Sequence, residues 1–134
     1  MRDYRLLLQK HRDVYALPGG HVNFGETSEK TLVREFKEEL GVDILCGRLI
    51  WVEENFWKWG SRKAHGISFY YIVSLKNNAD ISDDFARASK DNADVSLQWI
   101  SFEDMKGITI YPEFVKDRIG NISEGIEHFV RNSW

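Results

Sequence analysis

The chain has 134 residues, 43% of them hydrophobic and 29% charged, with a formal net charge of -3. That length supports one domain, 1–134, with a core of its own and no need of disulfide staples. A net negative chain offers no overall basic field for duplex nucleic acid, so a polyanion has to be held locally, and a small phosphorylated ligand fits better. Cys46 is the one cysteine, which excludes an internal disulfide. The opening MRDYRLLLQKHRD has too short an apolar stretch for a signal peptide, and nowhere do about 18 apolar residues run together. The expectation is a cytoplasmic protein with no membrane partner.

In chain order, Arg5 to Gln9 reads as a short strand, and His11, Arg12 and Asp13 as a polar turn before Val14 to Leu17. Pro18 stops regular pairing, and Gly19-Gly20 opens backbone angles closed to other residues. The loop Asn23 to Ser28 ends in Thr27 or Ser28, either able to cap a helix running to Leu40, with Gly41 as its left-handed stop. Leu32, Phe36 and Leu40 form an apolar stripe on that helix, with Val33 at its border. Glu35, Glu38 and Glu39, at i, i+3 and i+4, cluster on an adjacent arc about 115° away. One face packs on a sheet, and its neighbour looks into a cleft. Val42 to Val52 is strand-like with a break at Gly47, and His65 to Leu75 is a second strand rich in aromatic and β-branched residues. Between them lies the loop ENFWKWGSRKAH. Lys76 to Asn92 reads as a long loop or short helix, with Asp83 and Asp84 a solvated turn. Val95 to Ser101 is a strand, Phe102 to Lys106 a helical turn, Tyr111 to Ile119 a helix with Pro112 in its first turn, and IEHFV a closing strand.

Three like charges on one helix face repel one another, and beside a glycine-rich turn they call for a cation. The residues fall into a spacing: Gly20, five residues, Glu26, seven residues, then REFKEELGV from Arg34 to Val42. This pattern resembles the Nudix box, the signature of hydrolases that cleave nucleoside diphosphates linked to another moiety, and no required position deviates. The resemblance implies an α/β fold, a Nudix-type α/β/α sandwich around a mixed β-sheet. It also implies magnesium, with manganese as a substitute, held by Glu35, Glu38, Glu39 and the carbonyl of Gly19. Arg34 would pair with a box glutamate and orient it, and Glu26 would support the loop and helix through such a contact beside Gly20. The catalytic roles fall on Glu35, Arg34 and Glu38.

The family usually carries another strand before Arg5 to Gln9, so the sheet is expected one strand short unless the last segment fills its edge. An unpaired edge also favours a homodimer. A frequent extra acid of the family lies just before the tryptophan-containing strand; here Gln98 precedes Trp99, and Asp94 or Asp91 is the substitute, with Glu103 just after. For a substrate, Trp57, Trp59 and Phe69 are candidate stacking platforms, and Arg12 and Arg62 candidate phosphate contacts. Tyr71 shares the stacking reading, although alternating residues of 67 to 75 more often fill a core. His21 sits at a variable box position and reads as loop packing. Within the implied class, a nucleoside triphosphate, oxidised or non-standard, leads as substrate. ADP-ribose or a nucleotide sugar comes second, and a non-catalytic nucleotide-sensing or interaction module is the alternative of another class.

Overall fold

The computed structural model describes residues 1–88 and 94–134. Asp91 therefore lies outside the described residues, as does the end of the Lys76 to Asn92 segment. The chain forms two compact units, one of Met1–Leu45 and Leu75–Asn121, the other of Cys46–Ser74 and Ile122–Trp134. No helix among the described residues is long and apolar enough to cross a membrane.

The first unit is built on a five-stranded sheet. Its strands are β1 (Arg5–His11), β2 (Val14–Ala16), β5 (Ala86–Ala88), β6 (Val95–Ser101) and β7 (Thr109–Tyr111), in the order β5-β6-β1-β2-β7. β1 pairs antiparallel with β6, Leu8 opposite Gln98, and with β2; β2 pairs in parallel with β7, so the sheet is mixed. Leu6, Leu7 and Leu8 are all buried. Since successive side chains point to opposite faces, β1 is covered on both, which is why it reads as an unbroken leucine run.

Helix α1 (Ser28–Leu40) has the bounds its sequence demands. The Thr27 side chain accepts from the Lys30 amide at 3.2 Å, and Gly41, at φ 72°, returns its N–H to the Lys37 carbonyl. An N-cap of this kind contributes about 1 kcal/mol. Phe36 and Leu40 are buried as the stripe required, but Leu32 is only half-buried, and Thr31, 3% exposed, is the third buried position. At the other end of the unit, the Tyr111 to Ile119 reading needs correction. Tyr111 belongs to β7, the Tyr111-Pro112 peptide is cis, and helix α2 spans only Phe114–Arg118. Asp83 and Asp84 form an exposed turn, as read, and Asp83 is tied there by two arginines. It takes hydrogen bonds from Arg2 and Arg5, and both guanidinium groups lie over the Trp99 ring, at 5.2 and 5.8 Å. The Arg2 hydrogen bond leads in holding the Asp83 carboxyl below its usual range.

The second unit is a three-stranded sheet in the order β4-β3-β8, with β3 at Ile44–Trp59, β4 at Arg62–Leu75 and β8 at Glu127–Asn132. The segment read as the loop ENFWKWGSRKAH is instead the end of a long hairpin, turning at Gly60 and Ser61, with Gly60 at φ 60°. Its cations misled the reading: β-branching and alternation are weak there, but the aromatics Phe56, Trp57 and Trp59 are good strand formers. β8 lies parallel to β3, Trp51 opposite Glu127 and Phe56 opposite Asn132. One face holds Trp51, 1% exposed and 5.9 Å from the Tyr70 ring, and the buried carboxylate of Glu53, with Arg131 Nε 3.3 Å away. Burial raises the Glu53 pKa, and the Arg131 charge opposes that rise.

No break occurs at Gly47; the strand runs through it. A Cβ there would lie 2.7 Å from the Ile72 carbonyl oxygen, so glycine serves close strand approach and not a bend. Gly47→Ala should destabilise the protein by about 1–3 kcal/mol, read as a lower urea midpoint. An unchanged midpoint would show that the two strands separate at no cost.

Candidate functional site

The site is assembled from the loop before α1 and the middle of that helix. Arg34 is its hub. Its Nε donates to Glu26 Oε2 at 2.9 Å and its Nη2 to Glu26 Oε1 at 3.0 Å, a two-point grip on one carboxylate. Nη1 donates to Glu35 Oε1 at 2.9 Å and to Glu38 Oε2 at 3.2 Å, and Nη2 also reaches the His21 carbonyl at 3.1 Å. A planar guanidinium can serve three carboxylates and a carbonyl at once; a lysine ammonium cannot.

Glu26 is fixed from its other side as well. Thr31 Oγ1 donates to Glu26 Oε1 at 2.7 Å and to the Thr27 carbonyl at 3.1 Å, and the Asn23 amide donates to Glu26 Oε1. Thr31 is a site residue that sequence reasoning did not reach. A threonine one turn inside a helix usually bonds its own backbone, and the apolar stripe was sought elsewhere. The hydrogen bond from Arg34 is the first cause, and that from Thr31 the second, that lowers the Glu26 pKa to about 2. The same Glu26 bond raises the pKa of Arg34.

Gly20 explains itself at this point. A Cβ on it would sit 2.2 Å from Glu35 Cδ and Oε1, so any other residue here would displace the carboxylate that Arg34 holds. The Glu35 side chain is 14% exposed and that of Glu38 49%, one enclosed and one open to solvent. His21 enters through its backbone carbonyl, with the side chain exposed.

The donors of the acidic cluster are all carboxylate oxygens, the chemistry that a hard divalent cation prefers over nitrogen or sulfur. The donor set therefore fits such an ion. In the present arrangement Arg34 supplies the positive charge against Glu35 and Glu38. Among the described residues no three histidine, cysteine, aspartate or glutamate side chains are placed together so as to hold a metal ion as they stand.

The remaining predicted positions are scattered. Gly19 directly precedes Gly20, with open space where a Cβ would stand. Arg12 is exposed in the β1–β2 turn at φ 57°, and Asp94 is exposed just before β6. Glu103 is bound to Lys106 at 3.0 Å. Trp57, Trp59, Arg62 and Phe69 belong to the second unit, whereas the box belongs to the first. Trp57 and Trp59 are strand residues and not loop residues: Trp57 lies across Gly66, and Trp59, 78% exposed, ends β3.

The structure is a mixed α/β architecture in which a glycine loop closes on a helix that carries paired acids and an arginine. The NUDIX domain family model matches residues 1–118, and the chain belongs to the Nudix family. A stretch of 46 residues is 46% identical to an ADP-ribose pyrophosphatase of Methanocaldococcus jannaschii, covering 31% of this chain and 27% of that protein. The crystal structure of UDP-X diphosphatase is similar in fold, with a TM-score of 0.64 at 17% identity over 96% of this chain and 62% of that one. The solution structure of the E. coli ORF135 protein has a TM-score of 0.49 at 22% identity, over 83% and 74% of the two chains. The chain thus spans less than two thirds of the length of the first two relatives.

A folded-state pKa held below the unfolded value adds stability that is present above the unfolded pKa and lost as pH falls through the folded one. For Glu26 that window runs from 4.5 down to about 2. Glu26→Gln should therefore be less stable than the parent above about pH 5, and the gap should narrow as the pH drops towards 2. Urea midpoints at five pH values check this; a gap constant across that range would contradict the Arg34–Glu26 assignment.

Proposed function

We propose that the chain is a Nudix hydrolase that splits the pyrophosphate bond of a nucleoside diphosphate derivative, using magnesium or manganese. The observation that carries this reading is the Arg34 hub. It holds Glu26 by two bonds and lays Glu35 and Glu38 side by side, beside a glycine whose missing Cβ admits Glu35. Arg34 offsets part of the repulsion among these acids, and their oxygen-only donor set suits a hard divalent cation.

Glu35, Glu38 and Glu39 are the residues that would hold the ion, with the Gly19 carbonyl beside them. A divalent ion so bound supplies charge neutralisation at the phosphate oxygens and a more acidic water. Water oxygen bonds to phosphorus, the anhydride P–O bond breaks, and two phosphate monoesters leave, with the water proton passing to a base. Glu35, the enclosed carboxylate, is the box residue assigned to orient that water. Arg34 keeps it in place and fixes Glu38 one turn along.

For the substrate, the names of the relatives favour a nucleoside diphosphate joined to a second group, such as ADP-ribose or a nucleotide sugar. They move that reading ahead of a nucleoside triphosphate, which the sequence had put first. Arg12, Arg62, Trp57, Trp59 and Phe69 remain candidates for holding the base or the distal group, and Asp94 for an additional acid.

The experiment is a product screen with magnesium over ADP-ribose, nucleotide sugars, nucleoside triphosphates and dinucleoside polyphosphates. ADP-ribose or a nucleotide sugar should be turned over fastest. A triphosphate in first place would restore the earlier substrate reading, and no turnover on any of them would leave a binding module. Glu38→Gln should cut turnover of the preferred substrate roughly 100-fold while the far-ultraviolet circular dichroism stays that of the parent. Unchanged turnover would remove Glu38 from the site.

A further inference from the structure

The β3–β4 hairpin outruns the strand beside it. β8 pairs with β3 as far as Phe56, opposite Asn132, and Trp134 then reaches the hairpin at the Trp57 and Ala64 carbonyls. Beyond that point Lys58 to Lys63 project as a two-stranded tip that turns at Gly60 and Ser61, with Gly60 at φ 60°. A two-residue turn sets the cross-strand pairs by counting. Trp59 meets Arg62, Lys58 meets Lys63, and Phe56 meets His65, whose rings stack with centroids 4.2 Å apart as that register requires. Alternation then puts Lys58 and Lys63 on one side of the tip, and Trp59 and Arg62 on the other. The three cations are exposed, as is Trp59, at 78%. Trp134 belongs to the lysine side: its indole N–H donates to the Trp57 and Ala64 carbonyls at 3.0 and 3.3 Å, and Lys63 Nζ lies over its ring at 4.5 Å. Each side of the tip thus presents one indole and at least one cation.

The charge of the tip is not balanced from within. Asn55 to His65 carries Lys58, Arg62 and Lys63 and no acid, in a chain whose net charge is -3. Lys58 and Lys63 stand directly opposite each other, a placement in which like charges destabilise a hairpin. Among the described residues no carboxylate pairs with any of the three cations. The first acid back along β3 is Glu54, and it is bound to His128 at 2.8 Å. It is also separated from Lys58 by ~13 Å of strand, more than the ~8–10 Å over which exposed charges act in physiological salt.

We propose that this tip anchors the protein to an anionic lipid surface. The two-sided placement decides among polyanions. A nucleic-acid strand tracks one face and would meet either the lysines or the arginine, whereas a layer of lipid headgroups closes round a tip that enters it end-on. The depth agrees, since the strand from Trp57 to the turn is ~10 Å long and interfacial segments sink ~5–10 Å. There the indoles take the position that tryptophan favours at a membrane boundary, and the cations lie level with the lipid phosphates. Attachment of this kind is peripheral and reversible and needs no long apolar run. The expectation of no membrane partner rested on the length of such runs alone.

The test is cosedimentation of the full chain with vesicles, one set of phosphatidylcholine alone and one with a third of that lipid replaced by phosphatidylserine. The parent should pellet with the second set only, and should be released as salt rises from about 0.1 to 0.5 M. The double variant Lys58→Gln, Lys63→Gln should bind about 30-fold more weakly, with circular dichroism unchanged. Lys58→Arg, Lys63→Arg keeps both charges and should bind as the parent does. Should the glutamine pair misfold, Lys58→Gln alone decides the matter by a loss of about 5-fold. A labelled single-stranded oligonucleotide is tested beside the vesicles. A parent left in the supernatant by both sets, equal pelleting with neutral vesicles, glutamine variants that bind as the parent does, or capture of the oligonucleotide in place of the vesicles would each overturn the assignment.

Discussion

The arrangement of acids in this protein depends on a single guanidinium. Four carboxylates, Glu26, Glu35, Glu38 and Glu39, lie within fourteen positions of one another, and three of them share Arg34. Without that charge the enclosed Glu35 would face Glu38 with only water between them. With it, the loop is tied to the helix through Glu26, and the helix presents its acids in a fixed order. Thr31 completes the arrangement from behind, because its hydroxyl takes the Glu26 oxygen that Arg34 also uses. The burial of a threonine inside an otherwise apolar helix face follows directly from that bond.

The two ends of α1 give this hub its rigidity. Thr27 fixes where the helix begins and Gly41 where it stops, so the turn that carries Arg34, Glu35 and Glu38 cannot slide relative to the loop. The close approach of Gly20 to Glu35, together with the Arg34 bonds to Glu26 and the His21 carbonyl, then sets the loop against the helix. Capping, backbone shape and charge thus converge on the same few residues, the kind of agreement between levels that lets a short motif keep its geometry on a divergent chain.

Much of this was legible before any coordinates. The helix bounds followed from a cap, a stripe and a glycine, and the box acids from their spacing, because local rules govern both. Apart from Thr31, whose partner Glu26 is five residues away, the main failures were non-local. Gly47 looked like a break because its partner, the Ile72 carbonyl, is 25 positions away. Trp57 and Trp59 looked like loop residues because cations interrupt the alternation, and only pairing across the Gly60 turn shows them to be strand. β5 and β7, three residues each, are too short to leave a periodic trace, and the mixed pairing that the family implied is divided between two sheets.

The parallel pairing of β3 with β8 has a further consequence, in time. β3 and β4 are consecutive in sequence and can pair as soon as both are made, but the strand that covers the second edge of β3 comes some fifty residues later. Through that interval the edge from Trp51 to Phe56 stands with unmet backbone donors and acceptors, and the carboxylate of Glu53 waits for Arg131. Closing so long a loop is slow relative to hairpin formation. The nascent chain is therefore most exposed to mispairing with its neighbours just before its last strand arrives, and Glu53, still charged and solvated at that stage, marks the exposed edge as one that a hydrophobic strand cannot join without loss.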